Sequence, residues 1–509
     1  MGHCFRRLGI VACLLVPSGV SAQLAPVGVP RGTFRVELNG WVETFDRRFR
    51  NGVQESYAAD LSSPALGSDR IPLLADADAR VGRIIGNPGY RLNLGALTTD
   101  AMADVGTGFL GLGLGLTTRI TIFGRIPLVR TRIQTTMALD PAAADAGLNP
   151  GQTGQLPFFQ NFDAALSLLT GKLAAGEYDA VPATRALAVA TLAEANALRD
   201  DLFGLLADPA TASPVVPTAT SGSGGAVLGR VATLQSTLAS SLDVPGFTLV
   251  PSLPPAPLGE DGLRQLLTGP LALRIDDAPL TYRGDAEVGA AVTLVDRWDR
   301  DARRGGFRAA VSALVRLPTG VRERSDRPLD IGTGDGQTDI QVDLTTDLGA
   351  GSLGARVAGS YVRQLPSSIQ QRVAAPGALA GGDRLSFVRR DPGDIIAVSV
   401  QPFFRLARTF ALQAGLQHWS RKTDEVSYRS PGDALPGVDP GVLAEGTAAN
   451  ATVLSAGMTY SNQGRLRPGG TGLPVDASWA YERVLRSGNG LVPNAHRVRG
   501  QFRMYFGLW

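Results

Sequence analysis

Few residues in this chain have the types and spacing to do chemistry. His418-Trp419-Ser420 sets an imidazole and a hydroxyl two positions apart, which on a strand places both on one face. A hydrolase pairs its nucleophile and base in this way. Here both continue the apolar parity of Phe410, Leu412, Ala414 and Leu416, beside Arg421 and Lys422. Spacing assigns no Asn or Asp partner to them, so an interfacial role is expected. The run Gly332 to Gly336, with Asp330, Asp335 and Asp339, has oxygens for Ca²⁺. It leads into a strand, not a helix, so it is no dinucleotide fingerprint. A hard cation needs six or more oxygens, and a bare outer loop is the expectation. His496 stands alone. No catalytic, cofactor-binding or metal-ligating residue is expected, and no enzyme activity.

The remaining chemistry is charge held on one side of strands. Arg35, Glu37, Arg283, Asp285, Glu287, Asp339, Asp343, Arg356, Arg497, Arg499 and Arg503 all fall on polar faces opposite apolar ones. Inside a barrel they would line the lumen. There they would either pair across strands, neutralising charge taken out of bulk water, or form a constriction that tunes selectivity.

The elements that must carry these residues alternate with period two, the mark of strands with two unlike faces. Phe34, Val36, Leu38 and Val42 alternate with Arg35, Glu37, Asn39 and Glu43. Phe307 to Leu317, Ile340 to Leu344, Phe410 to Leu416 and Val498 to Leu508 repeat the pattern. Many such segments are as long as a tilted membrane-spanning strand, about 9–11 residues, where soluble strands average roughly 5–6. The fold expected is all-β: a transmembrane antiparallel β-barrel of about 14 strands, or 12, the larger count needing a weak strand near Gln54 to Leu61. Short links at Leu116–Arg119, Asp347–Gly351 and Leu406–Arg408 read as periplasmic turns, and long ones at 318–337, 365–392 and 421–449 as outer loops.

Export fits that fold. Arg6 and Arg7, the apolar Leu8 to Val16 and the small Val20-Ser21-Ala22 read as a signal peptide over residues 1–22, cleaved after Ala22. Gln23 follows where a lipoprotein needs Cys. Both cysteines, Cys4 and Cys13, leave with the peptide, which excludes disulfides and thiolate chemistry from the mature chain. A net charge of +3 on 509 residues gives no reason to expect nucleic acid as a partner. The barrel would take residues 23–131 and 281–509. Between them, 132–280 breaks the alternation: Leu187, Leu198, Leu202 and Leu205, then Val227, Val231, Leu234 and Leu238, recur at helical spacing around a Pro/Ser/Thr/Gly-rich link at 209–225. An antiparallel helix pair on the extracellular side is expected, standing clear of the pore or acting as plug or lid.

Two stretches carry a family resemblance. Gly113 to Val129 (GLGLTTRITIFGRIPLV) resembles the turn-flanking segment of outer-membrane channels found with phenol and aromatic degradation genes. Leu317-Pro318-Thr319-Gly320, with Asp330-Ile331-Gly332-Thr333-Gly334-Asp335-Gly336, resembles a strand end and loop of the same group. That group is similar to the 14-stranded long-chain fatty acid and hydrocarbon transporters. The resemblance spans roughly residues 105–131 and 281–420. It implies a passive outer-membrane channel for small hydrophobic or aromatic solutes in a Gram-negative cell, porin-like in build. Lipid, lipopolysaccharide and the barrel-assembly machinery are the other expected partners, and the final strand ending on Trp509 is the expected assembly signal. One departure stands out: only about ten mature residues precede the first strand, too few for the N-terminal hatch of those transporters. A surface barrel displaying its helical insertion is the rival expectation.

Overall fold

The computed structural model describes residues 27–275, 277, 279–298, 306–462 and 474–508; the expected leader and Trp509 lie outside the described residues. The alternating segments become twelve long strands, labelled here in chain order: β1 (Thr33–Phe45), β2 (Ala96–Gly115), β3 (Ile120–Asp140), β4 (Ala286–Trp298), β5 (Gly306–Leu317), β6 (Asp339–Ala350), β7 (Leu353–Gln364), β8 (Ile395–Arg405), β9 (Phe410–Arg421), β10 (Ala449–Ser461), β11 (Val475–Ser487) and β12 (His496–Gly507). Each pairs antiparallel with the next, and β12 returns to β1 with Glu37 opposite Arg503, so the sheet closes without an edge. Closure satisfies every ladder internally, as a membrane-spanning sheet requires.

The count is therefore 12, the lower of the two expected. The segment near Gln54 that the larger count needed is not in the wall. Val53–Ser56 folds back on Arg47–Arg50 as a small hairpin above the barrel, capped by Leu491–Pro493. Arg48 decides this: it is almost fully buried and holds Glu55 and Asp60, each at 2.6 Å, which keeps the segment over the mouth.

Period-two alternation turns one face of each strand outward. Leu38, Val42, Leu110, Ile126, Val342, Val398 and Leu416 are all exposed on it. An apolar band of this size running round a closed sheet is stable against lipid, not against water. Phe307, Phe404, Tyr460 and Phe506 form an exposed aromatic row near the short-turn end, where an interfacial girdle belongs. No described helix is long and apolar enough to cross a membrane. The wall itself crosses, and the chain is an outer-membrane barrel. By the short-turn rule the end carrying 318–338, 365–394 and 422–448 faces outward.

β2 and β3, at 20 and 21 residues, are about twice the length a span needs, and their upper halves rise beyond the barrel as a two-stranded ribbon. A helical cap packs on this ribbon: α1 (Ala75–Ile85), α2 (Gln152–Ala174), α3 (Pro182–Leu206), α4 (Gly222–Ser236) and α5 (Glu260–Thr268). Strand β3 runs on to Asp140, so the helical chain begins later than loss of alternation suggests. The leucine stripe of α3 is not chiefly a seam with α4. It joins one core with α1 and α2, in which Leu74, Val81, Phe162, Leu169, Leu202 and Leu205 are buried together with Leu97 of the ribbon. Phe159 meets Phe203 edge-on at 5.3 Å, and Arg83 pairs with Asp201 at 2.6 Å. α1 itself was unexpected.

Candidate functional site: the lumen and its two ends

The inward face is polar. Arg35, Glu37, Asp285, Glu287, Asp339, Asp343, Arg356, Arg499 and Arg503 are all buried, and Arg497 is half-buried. Arg283 departs from the expectation. It is exposed on a short strand, Leu280–Arg283, that pairs with β3 opposite the outward-facing Leu128, and its Nε donates to Thr319 O at 3.1 Å. The parity that placed it inside is broken at Gly284 and Asp285, where pairing passes to β4.

The buried charges meet in groups. On β1 and β12, Glu37 accepts from Arg503 at 3.0 Å and lies 3.4 Å from Arg35. Higher up, Arg497 holds Glu43 at 2.6 Å and Glu482 at 3.5 Å. On β3 to β6, Glu287 pairs with Arg125 and, at 3.1 Å, with Arg316, which reaches Asp339 at 2.7 Å. Near the turn end Asp347 takes Arg356 at 2.7 Å and also pairs with Arg308. Arg125, Arg308, Arg316 and Asp347 were missed as site residues, although their strand parity carries the same signal. β2 leaves room for the crowd: a Cβ on Gly113 would lie 3.4 Å from the Arg35 guanidinium.

The opposite wall, β7 to β9, differs. Between Arg356 near the turn end and Arg421 at the outer end, its inward side chains include Ser360, Ser399, Gln401 and Gln417, none of them charged. Ser360 Oγ, Ser399 Oγ and Gln417 Nε2 have no hydrogen-bond partner in the protein, nor do Asn39 Oδ1 and Gln501 Oε1 across the lumen. Buried polar atoms of this kind are satisfied by water.

At the turn end the chain folds back inside the barrel. Val29 is buried, and its backbone N donates to Thr121 Oγ1 at 2.8 Å. Gly32, at φ 67°, makes the reversal into β1. Gly115 is obligatory there, because a Cβ would sit 2.0 Å from Pro30 O. Residues 27–31 thus form a floor over a cavity of about 190 Å³ that reaches Arg308 and Asp347.

At the outer end the cap reaches across the mouth. Arg372, between β7 and β8, donates to Leu271 O at 2.7 Å and Ala272 O at 2.8 Å, and Leu379 N donates to Arg70 O at 2.6 Å. Beneath lies a vestibule of about 200 Å³ whose walls combine Leu61, Leu273, Val426 and Leu443 with the charged Asp60, Arg324, Arg327 and Asp330. A second, smaller chamber of about 80 Å³ follows, bounded by Gln337, Gln364, Arg390 and Arg421. Glu323 borders both. Burial raises its carboxyl above the usual range, with Arg390 and Arg322 opposing.

The other candidates disperse. His418 is exposed and its Nδ1 lies 3.1 Å from Thr452 Oγ1; Ser420 is exposed beside it. Asp330 pairs with Arg324 at 2.8 Å and Asp339 with Arg316, and among the described residues no His/Cys/Asp/Glu group has the arrangement of a metal site. His496 Nδ1 meets Tyr481 OH at 2.6 Å.

No family model matches the chain, and no curated protein matches it. Among solved structures it is similar to an outer membrane channel from Pseudomonas putida F1, with 11% identity over 95% of this chain and 100% of that one, TM-score 0.43. The CymD monoaromatic hydrocarbon channel gives 9% over 94% and 89%, TM-score 0.26. The transport unit of the Escherichia coli autotransporter AIDA-I gives 6% over 95% and 93%, TM-score 0.32. Likeness at this level says nothing about the solute.

Proposed function

We propose that this protein is a passive channel for small, largely hydrophobic or aromatic solutes, taken in beneath the cap and released past the floor formed by residues 27–31. The observation that carries the reading is the neutral stretch of β7 to β9 that lies between Arg356 near the turn end and Arg421 at the outer end. A barrel that served only as a stalk would be stabilised by packing its interior or pairing it fully, yet Ser360, Ser399 and Gln417 keep polar atoms that only a wet lumen satisfies. The apolar side of the vestibule, formed by Leu61, Leu273, Val426 and Leu443, supports a solute with an apolar body. The charged wall would act as the selectivity surface, and no residue is assigned a catalytic role. Lipid and lipopolysaccharide would cover the outer band, and the barrel-assembly machinery would read the last strand.

Making the neutral wall apolar tests this. In Ser399→Leu/Gln417→Leu the lumen dewets, and ion flux into proteoliposomes falls at least about tenfold while the barrel still resists SDS at room temperature. Unchanged flux in that variant counts against a path along this wall. The second reading, a barrel that displays its cap, is favoured by one observation: both ends are covered. It predicts no flux from the wild type either.

A further inference from the structure

The second chamber has more acceptors than the protein uses. Gln337 and Gln364 are 4% and 1% exposed, both border the chamber, and the Oε1 of each has no hydrogen-bond partner. Asp335, which also borders it, has Oδ2 unpartnered, although its Oδ1 accepts from Gln337 N at 2.9 Å. Glu323 stands where vestibule and chamber meet, and among the described residues nothing donates to its carboxylate. Buried oxygens left in this state favour a molecule that brings hydrogen-bond donors.

Charge narrows the class. The guanidiniums of Arg390 and Arg421 share Asp424, at 2.7 and 2.6 Å, and Arg322 donates to Ser368 O and Gly336 O. These three cations border the same chamber as Glu323 and Asp335. An organic cation would meet the guanidiniums, and a carboxylate would meet the unpaired oxygens. A neutral donor meets neither penalty. The vestibule above, with Leu61, Leu273, Val426 and Leu443, accepts an apolar body.

We infer that the junction at Glu323 is a binding site for a neutral hydroxyl compound with an apolar body, its O–H donating to the Glu323 carboxylate and its body lying in the vestibule. The inference rests on the channel reading and names the head group that the channel selects. A hydrogen bond to a charged acceptor contributes roughly 1.5–3 kcal/mol, so its loss is worth about tenfold or more in affinity.

The test uses the full-length protein in nanodiscs, with empty nanodiscs subtracting partition into lipid. Binding of 4-fluorobenzyl alcohol, 4-fluorotoluene and 4-fluorobenzoate is followed by ¹⁹F line broadening. The alcohol is expected to bind at least about tenfold tighter than the toluene. Glu323→Leu removes that difference and leaves the toluene unchanged, while Glu323→Gln, which keeps an acceptor oxygen, retains part of it. Gln337→Leu lowers alcohol binding less. Equal binding of alcohol and toluene to the wild type overturns the site, as does tightest binding of the benzoate or an unaltered preference in Glu323→Leu. Ion flux measured on the same preparations separates the two claims. Flux without alcohol preference removes the site and leaves the channel, and alcohol preference without flux does the reverse.

Discussion

Asp347→Ala is expected to destabilise the barrel by about 3–5 kcal/mol, because it leaves two buried guanidiniums without their common carboxylate. Asp347 is 1% exposed, and Arg308 and Arg356, both buried, converge on it from β5 and β7. The pair is costly to break since neither arginine can deprotonate or swing into bulk water from inside the wall. Urea unfolding from lipid vesicles, followed by tryptophan fluorescence, gives the comparison. Arg283→Ala is the control: an exposed side chain outside the lumen changes stability by no more than about 0.5 kcal/mol. Equal midpoints for the two variants would mean that the charge groups of the lumen do not hold the barrel together.

The second large effect concerns the floor at the turn end. Val29 N and Thr121 Oγ1 are 2.8 Å apart, and Gly115 gives residues 29 and 30 their clearance. The chain is free of cysteine after Cys13, so Val29→Cys/Thr121→Cys introduces a single possible bridge within residues 14–509. If solute leaves by displacement of this floor, oxidation abolishes flux through the double variant and reductant restores it. Flux that persists after thiol titration shows the bridge complete would place the exit elsewhere.

Much of the barrel was legible because a strand with lipid on one side and charge on the other writes its two faces into alternate residues. That is why Leu38, Val342 and Leu416 point out and Glu37, Asp343 and Arg503 point in. The strand count was less legible. The segment at Gln54 has strand-forming residues, and only the long-range contacts of Arg48 hold it above the wall as a hairpin. Arg283 fails for a related reason, since alternation assumes unbroken pairing and the ladder to β3 is interrupted at Gly284 and Asp285 and resumes one residue out of register. The helices of the cap show their period, but which helix packs on which depends on tertiary fit: α1 lies far from α2 in sequence and shares its core. The floor at Val29 and the chamber at Glu323 had no local signature, being made by loops and an N-terminal segment brought together only when the sheet closes.

Single-channel recording in planar bilayers tests the central claim most directly, comparing the wild type with a variant in which short Gly/Ser linkers replace cap residues 64–94 and 141–276, α1 included. A solute channel lidded by its cap is predicted to show small, gated openings as wild type and several-fold larger, steadier ones without the cap. Silence from both proteins, with barrels shown to be folded and inserted, would contradict the channel and leave a barrel that serves to hold its cap at the cell surface.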